Sequence, residues 1–168
     1  MRDIVVLALA YCVAMRVFEV FWSKRNARRV LARGGETIVP DGMAAIALVH
    51  GLWFLAMALE DTLLGPHAEL LRYRWAFFGA FAGAEVLRFW CVASLGDSWN
   101  VRVLVCPGVA PVRHGPYRYL RHPNYLGAVV MLVSLPLALG LPYTAAAVLP
   151  AKLLALRQRI RIEDAALG

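Results

Sequence analysis

The sequence LGAVVMLVSLPLALGLPYTAAAVLPAKLLAL, residues 126–156, sets the topology of the chain. It is apolar almost throughout, but prolines and Gly140 divide it into two arms, 126–139 and 142–156, each of which would cover only about 20 Å as a helix. Neither arm alone spans a bilayer comfortably. A single tilted crossing would put the basic C-terminal residues opposite the other basic connections, whereas a hairpin returns them to the same face. We therefore predict a Pro-broken helical hairpin.

Three further apolar segments precede this stretch, at residues 4–22, 43–60 and 75–95. As helices they would each cover roughly 25 to 31 Å, close to the thickness of the hydrocarbon core of a membrane. The 168 residues are 61% hydrophobic and 17% charged, whereas soluble domains average about 45–50% and 25%. We predict one all-α integral membrane domain over residues 1–168, with three transmembrane helices, the C-terminal hairpin and a cytoplasmic tail helix that reaches residue 167.

The formal net charge of +7 is concentrated in two connections and the C-terminal tail. The basic residues are Lys24, Arg25, Arg28, Arg29 and Arg33 in the first connection, Arg102, Arg113, Arg118 and Arg121 in the second, and Lys152, Arg157, Arg159 and Arg161 in the tail. The positive-inside rule produces this distribution, so we assign it to membrane orientation and not to nucleic-acid binding. It predicts an outside N-terminus and a cytoplasmic loop 96–125, in a bacterial inner membrane.

Several ionisable residues interrupt the apolar segments. A polar stripe at helical spacing comprises Arg16, Glu19, Ser23 and Asn26, and Glu85 and Arg88 are spaced for an ion pair within one helix. Charges in hydrocarbon cost several kcal/mol and are functional candidates, although opposite charges can also neutralise each other and fix helix packing. His50 has no sequence neighbour to pair with, and is either a base or a hydrogen-bonded structural histidine.

Residues 115–127 read GPYRYLRHPNYLG and form a distinct polar and aromatic loop. Two X-Pro steps favour turns, and three tyrosines offer flat faces that stack on a purine or hold a cation. Composition alone would also suit an interfacial belt of tyrosines and arginines.

The order of residues in this loop points to one family. The segment from Arg121 to Gly127 resembles the Arg-His-Pro-x-Tyr-x-Gly signature of the isoprenylcysteine carboxyl methyltransferase and phospholipid methyltransferase superfamily. The family's second element is an arginine followed four residues later by two acids, and Arg159 with Glu163 and Asp164 is similar to it, with Asp as the second acid. Upstream residues resemble a short bacterial branch associated with type III polyketide synthases.

The resemblance implies a cytoplasmic site for S-adenosyl-L-methionine beneath a pocket open to lipid. Carried over by position, the cofactor contacts are Val112, Tyr117, His122, Pro123, Asn124, Tyr125 and Glu163, and Arg159 contacts the acceptor. A carboxylate suits the ammonium group or ribose hydroxyls of the cofactor, and tyrosine faces suit its adenine or sulfonium.

The expected reaction is O-methylation of a lipophilic acceptor, either an alkylpyrone or alkylresorcinol hydroxyl or a prenylcysteine-like carboxylate. Arg159 would hold the acceptor oxygen, and His50 or Glu19 would deprotonate a neutral acceptor. Two alternatives remain open: an NADPH-dependent enzyme similar to sterol reductases, which share a similar loop, and a non-catalytic membrane adaptor. The histidines lack ligand spacing, so we expect no metal site. Besides the bilayer, we expect a lipophilic small molecule as partner and no nucleic acid, with the oligomeric state open.

Overall fold

The structure, a computed structural model, describes residues 2–106 and 108–167. The described part contains helices α1 (Arg2–Ala32), α2 (Met43–Leu63), α3 (Ala68–Leu71), α4 (Arg74–Leu95), α5 (Pro123–Leu139) and α6 (Pro142–Leu167). Two short strands, β1 (Glu36–Thr37) and β2 (Leu104–Val105), pair antiparallel with Glu36 opposite Val105. Two 3₁₀ turns cover Gly96–Ser98 and Gly115–Arg118.

The helices α1, α2 and α4 are long and apolar enough to cross a membrane, which confirms the predicted all-α membrane fold with three spanning helices. Large apolar side chains such as Leu7, Phe21, Leu48 and Val86 are exposed on their outer faces, as lipid contact requires. The helix α1 continues well past the predicted segment 4–22, and its 31 residues cover about 46 Å. Its last turns therefore extend beyond a bilayer.

The helices α5 and α6 follow one another through a tight turn and pack together. Gly140 adopts φ +81°, a left-handed conformation that glycine reaches without a Cβ clash. The Leu141 N–H donates to the Pro136 carbonyl at 2.8 Å, which closes the end of α5. The predicted separate tail helix is instead the last part of α6, because Pro150 removes only one backbone donor and the helix continues through it.

The core lies between α1, α2, α5 and α6. Trp53 is 4% exposed and donates its indole N–H to the Leu132 carbonyl at 3.0 Å, so α2 is fixed against α5. At the far end of α2, buried Glu60 accepts the backbone N–H groups of Tyr143 and Thr144 at 3.0 and 2.6 Å. Glu60 thus caps the beginning of α6, where these groups have no partner within the helix.

The extension of α1 holds the loop that follows α4. The Asn26 amide donates to the carbonyls of Gly96 and Trp99 at 3.1 and 2.8 Å, and the Ser23 hydroxyl accepts the Val101 N–H at 2.9 Å. The second half of the polar stripe on α1 is therefore structural. Ser23 and Asn26 hold residues 96–101 beside the ends of α5 and α6, which form the candidate site.

Candidate active site

A cavity of about 840 Å³ lies between the helices and the loop that joins α4 to α5. Most of the predicted site residues line this one cavity, namely Glu19, His50, Val112, Tyr117, His122, Asn124, Tyr125, Arg159 and Glu163. Pro123 is the exception. It is buried as the first residue of α5, where the missing N–H of proline leaves no intrahelical bond unmade.

The first turn of α5 meets the end of α6 at the cavity wall. The Tyr125 hydroxyl donates to Glu163, and the Arg159 Nε–H donates both to Glu163 Oε1 at 3.0 Å and to the Tyr125 hydroxyl at 3.2 Å. The structure thus brings the aromatic motif and the Arg-Glu pair together. Glu163 is held in place by two donors and keeps a carboxylate at the cavity.

His122 forms a second link between the motif and α6. Its Nε2 lies 3.1 Å from Asp164 Oδ1, and its Nδ1 lies 3.7 Å from Glu163 Oε2. The imidazole also stacks on the Tyr125 ring, with centroids 5.6 Å apart and an interplanar angle of 20°. The Asp that replaces the second family Glu therefore retains a role, because it anchors the motif histidine.

The Arg159 guanidinium is almost fully engaged by the protein. Its Nη1 donates to the Asp41 carbonyl at 2.9 Å and its Nη2 donates to the Val101 carbonyl at 2.8 Å, while its side chain is 4% exposed. Three of its five N–H groups thus form hydrogen bonds within the protein, and Nη1 also lies 3.9 Å from the buried Asp41 Oδ2.

Tyr117 closes the cavity wall from the 3₁₀ turn before α5. Burial, together with the neighbouring Cys91, raises the pKa of the Tyr117 hydroxyl above its ordinary value. Tyr117 therefore remains a neutral phenol and provides a ring face and a hydroxyl, not a base.

The interior end of the cavity carries a network of charges from α1 and α4. Glu19 Oε2 lies 2.7 Å from Arg16 Nη1, and Glu19 Oε1 lies 2.6 Å from Arg88 Nη2. The Arg88 Nε–H also donates to Asn124 Oδ1 at 3.3 Å. Arg88 thus links the predicted base Glu19 to the motif residue Asn124.

The prediction of an ion pair between Glu85 and Arg88 within α4 was wrong. Among the described residues, no nitrogen–oxygen distance of 4 Å or less joins Glu85 to Arg88, since Arg88 pairs with Glu19 on α1 instead. Helical spacing permits the pair within α4, but the tertiary arrangement offers Arg88 a carboxylate that also holds Arg16.

His50 lines the cavity from α2, and its Nδ1 lies 2.8 Å from the Ile46 carbonyl of its own helix. A carbonyl oxygen only accepts, so Nδ1 carries the proton and Nε2 is the basic nitrogen of the neutral ring. This tautomer leaves Nε2 unprotonated, as a general base requires.

Three residues in or behind the cavity wall went unrecognised as site residues in the sequence. Asp41, buried, holds Arg159, and Asn100 lines the cavity with its Oδ1 buried and without a hydrogen-bond partner among the described residues. Lys152, counted above with the basic C-terminal tail, is 1% exposed and lines the cavity. None carries a local sequence signal, because each acquires its surroundings from segments distant along the chain.

In residues 2–106 and 108–167, no three His, Cys, Asp or Glu residues form a metal-ligand group.

Fold and cavity together define a class of small helical membrane protein that encloses a large cavity between its helices and a connecting loop. The model of the isoprenylcysteine carboxyl methyltransferase (ICMT) family matches residues 77–168, more than half of the chain, so the chain belongs to this family. Membership in the family indicates a membrane methyltransferase, and enzymes of the family typically use S-adenosyl-L-methionine.

The chain is also similar over nearly its whole length to two curated bacterial proteins. The uncharacterized protein YpbQ of Bacillus subtilis (strain 168) is 29% identical over 162 residues, which cover 96% of this chain and 95% of YpbQ. An uncharacterized protein of Haemophilus influenzae is 25% identical over 163 residues, which cover 96% of this chain and 94% of the relative. No solved structure matches the chain significantly.

Proposed function

We propose that this protein transfers a methyl group from S-adenosyl-L-methionine to an oxygen of a lipophilic acceptor within the membrane. The observation that carries the proposal is the contact among Tyr125, Arg159 and Glu163, which joins both family elements at the wall of one cavity. Neither element alone could enclose a small molecule, and their contact makes a single binding site possible.

The residues near this contact fit the cofactor by their chemistry. Glu163 is a carboxylate for an ammonium group or ribose hydroxyls, and Asn100 Oδ1 is a buried acceptor that lacks a partner among the described residues. Tyr117 and the stacked rings of His122 and Tyr125 present aromatic groups that suit adenine or a sulfonium. We assign the cofactor contacts to these residues and to Val112 and Asn124.

When bound, the cofactor supplies an electrophilic methyl group. The chain has to align the acceptor oxygen with this group and exclude water. We assign the acceptor contact to the guanidinium of Arg159, which lines the cavity. For a neutral acceptor we assign the base to His50 Nε2, since both oxygens of Glu19 are already bound by Arg16 and Arg88.

We further propose that the cavity faces the cytoplasm of a bacterial cell and that the N-terminus lies outside. The extension of α1, the loop 96–101 and the motif lie at one end of the molecule, linked by Asn26 and by the Arg29–Asp97 ion pair at 2.5 Å. The basic residues of both connections therefore gather at the end that carries the site, as the positive-inside rule expects.

A transfer assay tests the proposal. Purified protein in lipid nanodiscs is incubated with methyl-labelled S-adenosyl-L-methionine and three acceptors: an alkylpyrone, an alkylresorcinol and a prenylcysteine. We expect a labelled methyl ether or ester from at least one acceptor, and a loss of about 100-fold or more in Arg159→Ala and Glu163→Gln, as for other positioned charged contacts. Arg157→Gln, an exposed change on the same helix, should transfer normally. Full transfer by both site variants would refute the assignment.

A further inference from the structure

Lys152 is a buried lysine that the proposed function leaves unused. It is 1% exposed, and it lines the large cavity from α6. Within residues 2–106 and 108–167 its amine forms neither an ion pair nor a hydrogen bond, although charged groups nearby act on it electrostatically. An unpaired amine that faces a cavity is available to exchange a proton with a group in that cavity.

The charges around Lys152 favour the neutral amine. Burial, and then the nearby Arg88 of α4 and Arg16 of α1, lower the pKa of Lys152 to about 7. Glu19 of α1 acts in the opposite direction, but both of its oxygens are engaged by the same two arginines. The helix α5, which packs against α6, contains no charged residue. A large share of Lys152 is therefore a free base at neutral pH.

Lys152 lies apart from the proposed contact with the methyl acceptor. Lys152 and Arg159 lie two turns apart on one face of α6, and both line the cavity. The helix rises about 10 Å between them. Proton transfer requires hydrogen-bond distance, so a hydroxyl held by Arg159 needs another group to carry its proton to Lys152.

His50 of α2 is placed to be that group. It lines the same cavity, α2 packs against α6, and Lys152 acts on it electrostatically. Its Nε2 is the basic nitrogen, because Nδ1 faces the Ile46 carbonyl. A proton on Nε2 would be repelled by Arg16 and Arg88. His50 is therefore suited to pass a proton on and poorly suited to keep it.

We infer that Lys152 receives the proton that His50 removes from a neutral methyl acceptor. This inference rests on the proposed function and extends it for hydroxyl acceptors. The acceptor O–H gives its proton to His50 Nε2, which gives it to the lone pair of Lys152 Nζ, so that an ammonium group forms. A lone pair of the acceptor oxygen forms the O–CH₃ bond, while the S–CH₃ bond breaks and its electron pair stays on sulfur. The ammonium group releases its proton to water after the products leave.

This relay keeps the total charge of the cavity constant. S-adenosyl-L-methionine carries a sulfonium charge, which disfavours an ammonium group at Lys152 by like-charge repulsion. Methyl transfer removes the sulfonium charge, and the proton places one positive charge on Lys152 instead. The site thus never holds both of these buried cations, which would be costly without counterions.

The ionisation of Lys152 is directly measurable, because the chain contains only two lysines, Lys24 and Lys152. Protein labelled with ¹³Cε-lysine is titrated by NMR in nanodiscs, and Lys24→Gln assigns the two signals. We expect Lys152 to titrate at about pH 7 and the exposed Lys24 to be protonated still at about pH 9. S-adenosyl-L-methionine should lower the Lys152 midpoint by about one unit, the effect of a unit charge about 10 Å away. S-adenosyl-L-homocysteine, which lacks the sulfonium, should lower it much less.

Variants test the proton transfer itself, with an alkylresorcinol as the methyl acceptor. Lys152→Met and Lys152→Arg should each lower kcat about 100-fold or more with KM nearly unchanged, because arginine keeps the charge but cannot accept a proton. Lys24→Gln should transfer normally. Below the Lys152 midpoint, wild-type kcat should fall about tenfold per pH unit, since only the neutral amine accepts the proton. Lys152→Met should lack this acid limb.

The outcomes separate this inference from the proposed function. A Lys152 still protonated at about pH 9, or full alkylresorcinol transfer by Lys152→Arg, overturns the relay and leaves the methyltransferase assignment standing. Transfer only to a prenylcysteine carboxylate, equally fast in wild type and Lys152→Met, does the same. A Lys152 that titrates at about pH 7 in a protein that neither binds S-adenosyl-L-methionine nor transfers methyl groups refutes both. If neither Lys152 variant folds, the NMR midpoints with and without S-adenosyl-L-methionine decide.

Discussion

The Nε atom of Arg159 lies 3.0 Å from Oε1 of Glu163, one turn further along α6. The same guanidinium reaches the Asp41 carbonyl, 118 residues away in sequence, and the Tyr125 hydroxyl on α5. Arg159 therefore fixes the Glu163 carboxylate and joins three distant segments around it. Arg159 and the Tyr125 hydroxyl together fix the position of the proposed cofactor ligand.

Glu19→Gln should destabilise the protein strongly. Glu19 neutralises both Arg16 and Arg88. Removing the acidic partner of a buried ion pair leaves the arginine charge uncompensated, which costs about 3–5 kcal/mol. Thermal unfolding in detergent measures the effect. Asp97→Asn is the matched control, because it breaks the half-exposed Arg29–Asp97 pair, which is worth about 1 kcal/mol or less. Equal shifts of Tm in the two variants would show that the interior network is not stabilising.

Gly127→Ala should disturb the site through Arg88. A Cβ at Gly127 would lie 2.7 Å from Arg88 Cγ and 3.2 Å from the Ala84 carbonyl oxygen, so Arg88 would have to move away from Glu19 and Asn124. We expect a lower Tm and reduced methyl transfer.

The control for Gly127→Ala is Gly79→Ala on α4, where a new Cβ meets no atom within 4 Å among the described residues. Alanine has the higher helix propensity by up to about 1 kcal/mol, so Gly79→Ala should be neutral or stabilising. A Gly127→Ala protein as stable and active as Gly79→Ala would contradict the packing role of the motif glycine.

The features that could be predicted from the sequence are those that a short stretch of residues determines by itself. The apolar segments predicted the spanning helices because lipid requires long apolar runs, and the confirmed family membership followed from the order of residues in 121–127. The further extent of α1 was not predicted, because its polar stripe includes Ser23 and Asn26, whose partners lie in the loop after α4.

The features that were missed depend on tertiary contacts. Two-residue strands carry no alternation pattern, so the pairing of β1 with β2 had no signal. Arg88 had a carboxylate at helical spacing in Glu85, and only the packing of α1 against α4 offers it Glu19 instead. Lys152 resembled the basic residues that follow it, and its burial depends on the packing of α6 against its neighbours.

Glu60→Ala should destabilise α6 at its beginning. The carboxylate accepts the N–H groups of Tyr143 and Thr144, and the loss of both charge-assisted bonds should cost about 2 kcal/mol or more. Glu60→Gln should cost less, since its amide oxygen still accepts. Thermal unfolding measures both, with exposed Glu69→Ala as the control. A Glu60→Ala protein with the Tm of Glu69→Ala would rule out the capping role.

Cys106 reports the orientation of the protein without any engineered residue. It is partly exposed and lies in the loop that leads to the motif, whereas Cys12 and Cys91 are buried. If the site is cytoplasmic, a membrane-impermeant maleimide should label Cys106 in inside-out vesicles and not in intact spheroplasts. Cys106→Ser should abolish the signal. Labelling in intact spheroplasts would place the site on the outer side of the membrane, against the proposal.

A calorimetric titration of the purified protein with S-adenosyl-L-methionine, and separately with NADPH, tests the central claim most directly. We predict saturable binding of S-adenosyl-L-methionine, weakened about tenfold or more by Glu163→Gln, as expected when one charged contact is lost, and unchanged by Glu69→Gln. Binding of NADPH with no response to S-adenosyl-L-methionine would contradict the account.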